Sequence, residues 1–259
     1  MTTHLLISDT QVKKDVPLDH IRALGNFIVD KQPEVLVMIG DWADMPSLSV
    51  YDKPGTKAFE GKRYRDDVEA SIEAMEILEE PITRYNNMRK RNKKSLYRPR
   101  KVLTLGNHEN RIDRAINLDP RLDGTLSVSD LRFEDFGWEV YPFLHIVDID
   151  GVAYSHYFIN PDSAIGSPLG GTIENKMKLI GHSFTMGHNQ KRQYGIRYNG
   201  RGEEIHGLVS GAYYMHDEEY QNPQGNRAHW RGIVLKNEVK DGRYDCSFLS
   251  LDYMLRAYS

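Results

Sequence analysis

The chain has 259 residues, a formal net charge of −3 and one cysteine, Cys246. This length can bury the core of one α/β domain, and the charge gives no global indication of nucleic-acid binding. A single cysteine excludes an intrachain disulfide, and we expect Cys246 to be a small core residue. Because no apolar stretch could span a bilayer and a strand starts near residue 1, we expect a cytoplasmic protein with no signal peptide and no membrane partner. The sequence does not indicate an oligomeric state.

The first half of the chain alternates between predicted strands and helices. Apolar residues recur at helical spacing in the predicted helices, and short β-rich apolar runs mark the strands. We expect Pro81 to kink or divide the long helix, because proline lacks the amide donor and its ring clashes with the preceding turn. The predicted elements are a strand at 3–8, a helix at 18–31, a strand at 34–39, a polar loop at 40–62 that includes Pro54, a helix at 63–92, a strand at 101–105 and a helix near 109–117.

The second half turns to β structure. Asp150-Gly151 and Asp241-Gly242 each separate two β-rich segments, which predicts two hairpins. A helix is predicted from Thr172 to Ile180, with Gly181 following its last turn. Nothing divides the sequence into separate units, so we expect one domain over residues 1–259 with a helical insertion near 63–95.

Four predicted strands are each followed by polar residues that can bind metal. Loops at the carboxyl ends of strands bring distant residues together in α/β sheets, so these side chains are expected to form one metal centre. The four segments are Asp9-Thr10-Gln11, Gly40-Asp41-Trp42-Ala43-Asp44, Gly106-Asn107-His108-Glu109 and Gly187-His188-Asn189-Gln190.

These segments resemble the motifs of the calcineurin-like metallophosphoesterases, which run D-x-H, G-D-x-x-D, G-N-H-[DE], a single His and G-H-x-H. The second and third motifs are intact, and His156 best matches the single His. The first and last motifs depart from the pattern, because Gln11 and Gln190 stand where the family has histidine. A phage-encoded branch has a similar D-T-Q opening, and the resemblance covers roughly residues 3–250. It implies two mixed β-sheets packed face to face and flanked by helices, a four-layer α/β/β/α sandwich.

The resemblance also implies two divalent metal ions bridged by Asp41. Amide oxygens in place of imidazoles should move the first site from zinc towards Mn²⁺ or Mg²⁺, so Mn²⁺ is expected, with Mg²⁺, Fe²⁺ and Zn²⁺ as alternatives. Asp44 is expected to order its loop rather than bind metal. The predicted first metal site contains Asp9, Gln11, Asp41 and Gln190, and the predicted second metal site contains Asp41, Asn107, His156 and His188.

Two histidines compete for the last motif. His182 lies before the predicted strand at 184–186, whereas His188 lies beyond its carboxyl end, where ligands are expected. We therefore predict that His188 is the ligand. The other histidines outside the motifs, at 4, 20, 145, 206, 216 and 229, are expected to be surface or packing residues.

The implied function is hydrolysis of phosphomonoesters or phosphodiesters by attack of a metal-bridging hydroxide. His108 would act as the general acid that protonates the leaving group. Arg111 either holds a phosphate oxygen or is an exposed helix-face residue. Residues 166–172 either cover the substrate or simply connect two elements.

Two alternatives remain open. The run at 89–101 contains eight basic residues in thirteen, which could hold a nucleic-acid backbone in a nuclease or DNA-end processor. The favoured interpretation of this run is a solvated helix end. The second alternative is a non-catalytic binding scaffold that retains the fold, which the loss of two histidines at Gln11 and Gln190 favours and the presence of His108 disfavours.

Overall fold

The computed structural model describes residues 1–50, 55–56, 59–218 and 222–259. The strands in these ranges are short, and the central strands of each sheet are largely buried. In chain order they are β1 (Thr2–Ile7), β2 (Val35–Met38), β3 (Arg100–Thr104), β4 (Glu139–Tyr141), β5 (Val147–Ile149), β6 (Val152–Tyr154), β7 (Phe184–Met186), β8 (Arg192–Tyr198), β9 (Glu204–Ser210), β10 (Gly232–Lys240) and β11 (Arg243–Ser250).

The strands form two mixed sheets. The first has the order β11-β10-β1-β2-β3-β4, with β1 to β4 parallel and β10 and β11 antiparallel. The second has the order β5-β6-β7-β9-β8, with a parallel centre and antiparallel edges. Because β1, β2 and β3 run in parallel, their carboxyl ends lie at one edge, as the placement of the motifs requires.

Helices cover the outer faces of the two sheets. Apolar side chains of α1, α2 and α6 pack on the first sheet, and those of α4 pack on the second. Between the sheets, Val37 and Val102 of the first share a core with Tyr154 and Leu208 of the second, which confirms the predicted face-to-face α/β fold. The helices are α1 (Asp19–Lys31), α2 (Tyr64–Arg91), α3 (Arg111–Leu118), α4 (Ile173–Ile180), α5 (Pro223–Ala228) and α6 (Leu251–Tyr258).

Helix α2 is not divided at Pro81, contrary to one of the predicted outcomes. The proline is buried and lies against Gly25 of α1, where an added Cβ would be 2.9 Å from the proline ring and 2.6 Å from the Leu78 carbonyl oxygen. This close approach requires glycine in α1. The packing of α1 against α2 compensates for the backbone hydrogen bond that Pro81 cannot donate.

The segment after β2 is less polar than predicted. Trp42, Ala43 and Met45 are fully buried, and the Trp42 indole donates a hydrogen bond to the Ser71 carbonyl of α2. The loop therefore packs under α2, which fixes the residues directly after the strand. Pro54, placed in the same predicted loop, lies outside the described residues.

Both predicted hairpins are present. Asp150-Gly151 joins β5 to β6, and Asp241-Gly242 joins β10 to β11. All four residues have positive φ, between 50° and 81°, as two-residue turns of this kind require. Within the described ranges, none of the helices has the length and apolar character needed to cross a membrane.

Candidate metal centre

The predicted ligand segments begin in a strained backbone. Asp9, Gln11, Asp41, His188 and Gln190 all have positive φ, from 30° to 65°. Residues other than glycine rarely adopt this backbone conformation. It is found most often at sites where a side chain must point in one direction. In this chain it occurs at these five residues after β1, β2 and β7, where the motifs meet, and also in turns elsewhere.

Two motif glycines allow these segments to approach one another. A Cβ on Gly106 would lie 2.1 Å from Asp41 Oδ1, and one on Gly187 would lie 2.6 Å from Asp9 Oδ1. Neither contact is sterically possible. These glycines are therefore needed because two carboxylates occupy the space that a side chain would fill.

The four residues predicted for the second metal site come together. Asn107 Oδ1 lies 2.9 Å from His156 Nε2 and 2.8 Å from His188 Nδ1, and His156 Nε2 lies 3.3 Å from Asp41 Oδ2. Asp41, His156 and His188 form a group whose ligand atoms are all within 4.8 Å of one another. Oxygen and imidazole nitrogen donors at this spacing are suited to a borderline divalent ion.

His156 faces more acceptor oxygens than a neutral ring can satisfy. Its Nδ1 lies 2.8 Å from the Ile39 carbonyl, which can only accept a hydrogen bond, so Nδ1 carries the proton. In a neutral ring, the Nε2 lone pair would then face the acceptor oxygens of Asn107 and Asp41. Burial alone would lower the pKa of His156, but the Asp41 carboxylate raises it to about 9. A bound cation would satisfy the same atoms without the proton.

The pKa of His188 is shifted in the opposite direction to that of His156. Burial and the neighbouring His156 lower the pKa of His188 to about 4, so its ring is neutral at physiological pH. A neutral imidazole is the form that binds metal. His188 thus provides a lone pair near the buried carboxylate of Asp41, and His156 would provide one once a cation replaced its Nε2 proton.

Orphaned buried atoms mark the predicted first metal site. Asp9 Oδ2 and both polar side-chain atoms of Gln11 lack hydrogen-bond partners among the described residues, and both side chains are fully buried. Burial and the charge of Asp41 raise the pKa of Asp9 to about 7. Unpartnered buried polar groups are costly, and a cation would satisfy the two oxygens, Asp9 Oδ2 and Gln11 Oε1, although not the Gln11 Nε2 donor. Asp9 and Gln11 therefore fit an oxygen-coordinated metal.

Gln190 is held by a different contact. Its Oε1 accepts a hydrogen bond of 2.9 Å from the Tyr214 hydroxyl, which also lies 2.7 Å from His229 Nδ1. Among the described residues, no hydrogen bond joins Gln190 to Asp9 or Gln11. Tyr214 was not singled out in the sequence, because its contact with Gln190 depends on the turn after β9.

His108 lies next to the group but is oriented by other residues. Its Nδ1 lies 2.8 Å from Asp44 Oδ1 and 2.9 Å from the Asp44 carbonyl, while Nε2 is 3.7 Å from Asp41 Oδ2. Burial opposes the charge on His108, but Asp41 and Asp44 raise its pKa. The Nε2 atom therefore faces the predicted metal centre and can hold a proton there.

Asp44 lies outside the ligand group, as predicted. Its second oxygen is 3.0 Å from the Lys13 ammonium, and the interactions with His108, Lys13 and Arg111 lower the pKa of Asp44 despite its burial. Of the two alternatives for Arg111, the exposed helix-face position is wrong, since the side chain is buried. Its guanidinium donates to the Asp44 and Met45 carbonyls and lies 3.3 Å from His108 Nε2.

Glu109 has a role that the sequence analysis missed. Its buried carboxylate accepts hydrogen bonds from the backbone N–H groups of Asp41, Ala43 and Gly106 at 3.0, 2.9 and 2.8 Å. One side chain thus joins the loop after β2 to the loop after β3. The acidic residue that follows G-N-H was the available signal, but two of its three partners, Asp41 and Ala43, are 68 and 66 residues away.

Aromatic rings surround the two histidines. The Tyr157 ring centroid is 4.8 Å from that of His188 and 5.8 Å from that of His156, and the edge of Phe143 packs against Tyr157. His182, in contrast, is exposed and contacts Phe158. The structure therefore brings His188, and not His182, to the ligand group.

The basic run at 89–101 is separated from this centre. Arg100 is paired with Glu139 and Lys101 with Glu79. The run ends at the first residues of β3, whereas Asn107 follows the last residue of β3. The five residues of this strand span roughly 16 Å, which separates the run from Asn107. Residues 166–172 lead into α4, where the Thr172 side chain caps the helix as a connecting segment would.

In comparisons with known proteins, no family model matches the chain and no curated protein is significantly similar to it. The geometry of the centre and the motif resemblance are therefore the indications of function.

Proposed function

We propose that this protein is a metal-dependent phosphoesterase of the calcineurin-like type that hydrolyses phosphomonoesters or phosphodiesters. The observation that carries the proposal is the convergence of four donor side chains beside a histidine that is not one of them. The donors are Asp41, Asn107, His156 and His188, and the adjacent residue is His108.

Two divalent ions, with Mn²⁺ favoured, would be held by the two predicted sites. Asp9, Gln11 and Asp41 would hold the first, where Gln190 remains a candidate ligand, and the group around His156 would hold the second. When bound, such ions neutralise phosphate oxygens and make water a stronger nucleophile. Because the first site has only oxygen donors among its predicted ligands, it should bind Zn²⁺ less well than a histidine-containing site.

The residues around His108 give it the properties of a general acid. Asp44 fixes the ring and, with Asp41, favours its protonated form. The Nε2 proton can then pass to the leaving oxygen of the ester. Arg111 can only donate hydrogen bonds, so its contact with Nε2 fits the neutral ring; when Nε2 carries the proton, the guanidinium would instead hold a phosphate oxygen.

The scaffold alternative is tested by the same experiment as the enzyme. The full-length protein, freed of metal, is titrated with Mn²⁺ in the presence of a chromogenic phosphodiester. Hydrolysis that rises with Mn²⁺ occupancy supports the enzyme, whereas tight Mn²⁺ binding without hydrolysis of monoesters or diesters supports the scaffold.

The nuclease alternative receives less support. The basic run is partly paired with acidic residues and starts β3 at the end opposite Asn107. We also propose a cytoplasmic location, in the host if the protein is phage-encoded, which the single cysteine favours.

A further inference from the structure

Tyr157 is held rigidly against the predicted second metal site. It directly follows His156, and its ring packs on the rings of His156 and His188 with Phe143 at its edge. The Ser155 hydroxyl donates a hydrogen bond of 3.1 Å to the Tyr157 carbonyl, and the Gly187 amide donates one of 2.9 Å to the His156 carbonyl. Both the ring and its backbone are therefore fixed relative to the two histidines.

The hydroxyl of this side chain has no assigned partner. Only 9% of Tyr157 is exposed, yet its hydroxyl makes no hydrogen bond to any residue in the described ranges and is not a buried orphan. It therefore reaches solvent. Buried tyrosine hydroxyls usually find a partner, as Tyr154 does with His4 and Tyr213 does with the His20 carbonyl.

Its location explains what such a hydroxyl could bind. The ring packs on two histidines whose nitrogens face Asn107 and Asp41, so the residue borders the point where the donor atoms converge. A tyrosine hydroxyl can donate a hydrogen bond. Once metal ions occupied the centre, a hydrogen-bond donor at its rim would be complementary to an anionic oxygen.

We infer that the Tyr157 hydroxyl donates a hydrogen bond to a phosphoryl oxygen of the substrate, and to inorganic phosphate as product, at the second metal site. The inference rests on the proposed function. It assigns Tyr157 as a substrate-binding residue whose ring packs on the histidines and whose hydroxyl recognises the phosphoryl group.

The test separates the hydroxyl from the ring. Tyr157→Phe retains the ring contacts with Phe143, His156 and His188, whereas Tyr157→Leu removes them. Tyr253→Phe is a matched control, because Tyr253 lies on α6 and its ring contacts Tyr258. Each full-length variant is loaded with Mn²⁺, and the affinities for Mn²⁺ and for inorganic phosphate are measured by calorimetry, together with diester hydrolysis.

We expect Tyr157→Phe to weaken phosphate binding roughly 10-fold or more, as for the loss of a hydrogen bond to a charged group, with Mn²⁺ affinity unchanged. Tyr157→Leu should weaken both affinities, and Tyr253→Phe neither. Unchanged phosphate affinity in Tyr157→Phe, or a loss of Mn²⁺ affinity in that variant, would overturn the inference while the parent protein still hydrolyses the ester. If the Mn²⁺-loaded parent neither binds phosphate nor hydrolyses esters, the proposed function fails and the inference with it.

Discussion

Replacement of Glu109 by glutamine should weaken the connection between two ligand loops. The Glu109 carboxylate accepts three backbone hydrogen bonds, one at Oε1 from Ala43 and two at Oε2 from Asp41 and Gly106. Glutamine has the same shape but only one acceptor oxygen. Whichever way the amide is turned, its NH₂ group must face at least one buried N–H donor.

The magnitude follows from these contacts. One buried N–H left without an acceptor costs about 1–3 kcal/mol, and the bonds that remain lose the assistance of a full charge. Burial and the charge of Asp41 raise the pKa of Glu109, so removing its charge also relieves some repulsion. We expect a net loss of about 2 kcal/mol in the free energy of unfolding, with weaker Mn²⁺ binding because both loops carry ligands.

The assay is urea unfolding of the Mn²⁺-loaded protein, with Mn²⁺ affinity measured in parallel. Glu69→Gln is the control, since Glu69 forms an exposed ion pair with Arg65 and should change stability by less than about 0.5 kcal/mol. If Glu109→Gln were as stable as this control and bound Mn²⁺ normally, the assigned role of Glu109 would be refuted.

Three further predictions concern the centre and the core. Asp41→Ala should abolish metal binding and activity together, whereas His108→Ala should retain metal and slow turnover roughly 10²–10⁴-fold. The metal content of both variants is measured by elemental analysis. Loss of metal in His108→Ala would show that His108 is a ligand. The double variant Gln11→His, Gln190→His should bind Zn²⁺ more tightly, since imidazole is the stronger donor, and unchanged calorimetric affinity would mean that neither glutamine is a ligand. Burial lowers the pKa of Lys236 from 10.5 to about 7. Between pH 7 and pH 10.5, Lys236 is therefore neutral in the folded state but still protonated in the unfolded state. Because the unfolded state binds more protons, the free energy of unfolding should rise with pH in this range. Lys236→Met should therefore stabilise the protein most near pH 6 and least near pH 10, and a stability difference that did not vary with pH in urea unfolding would contradict this.

Much of the fold could be predicted because its signals are local. The apolar run before Asp41 and the positive-φ turn at Asp150-Gly151 depend on neighbouring residues, and both elements formed as expected. Helix α2 shows the limit of local rules. Pro81 disfavours a continuous helix locally, but packing against Gly25 of α1 determined the outcome.

The candidate site was predictable to a different degree. Residues that follow strands, such as His188, could be placed at the carboxyl end of a strand from the strand pattern. The roles of Glu109, Arg111 and Tyr157 could not, because each depends on contacts with side chains or backbone groups from other segments. Periodicity reports which face of an element is buried, but it does not report which distant group that face meets.

The most direct test of the metal centre is anomalous diffraction at the manganese edge from crystals soaked in Mn²⁺. The account predicts one anomalous peak in direct contact with Asp41, Asn107, His156 and His188, and a second peak beside Asp9 and Gln11. The absence of a peak among the first four side chains at saturating Mn²⁺ would contradict the proposed centre.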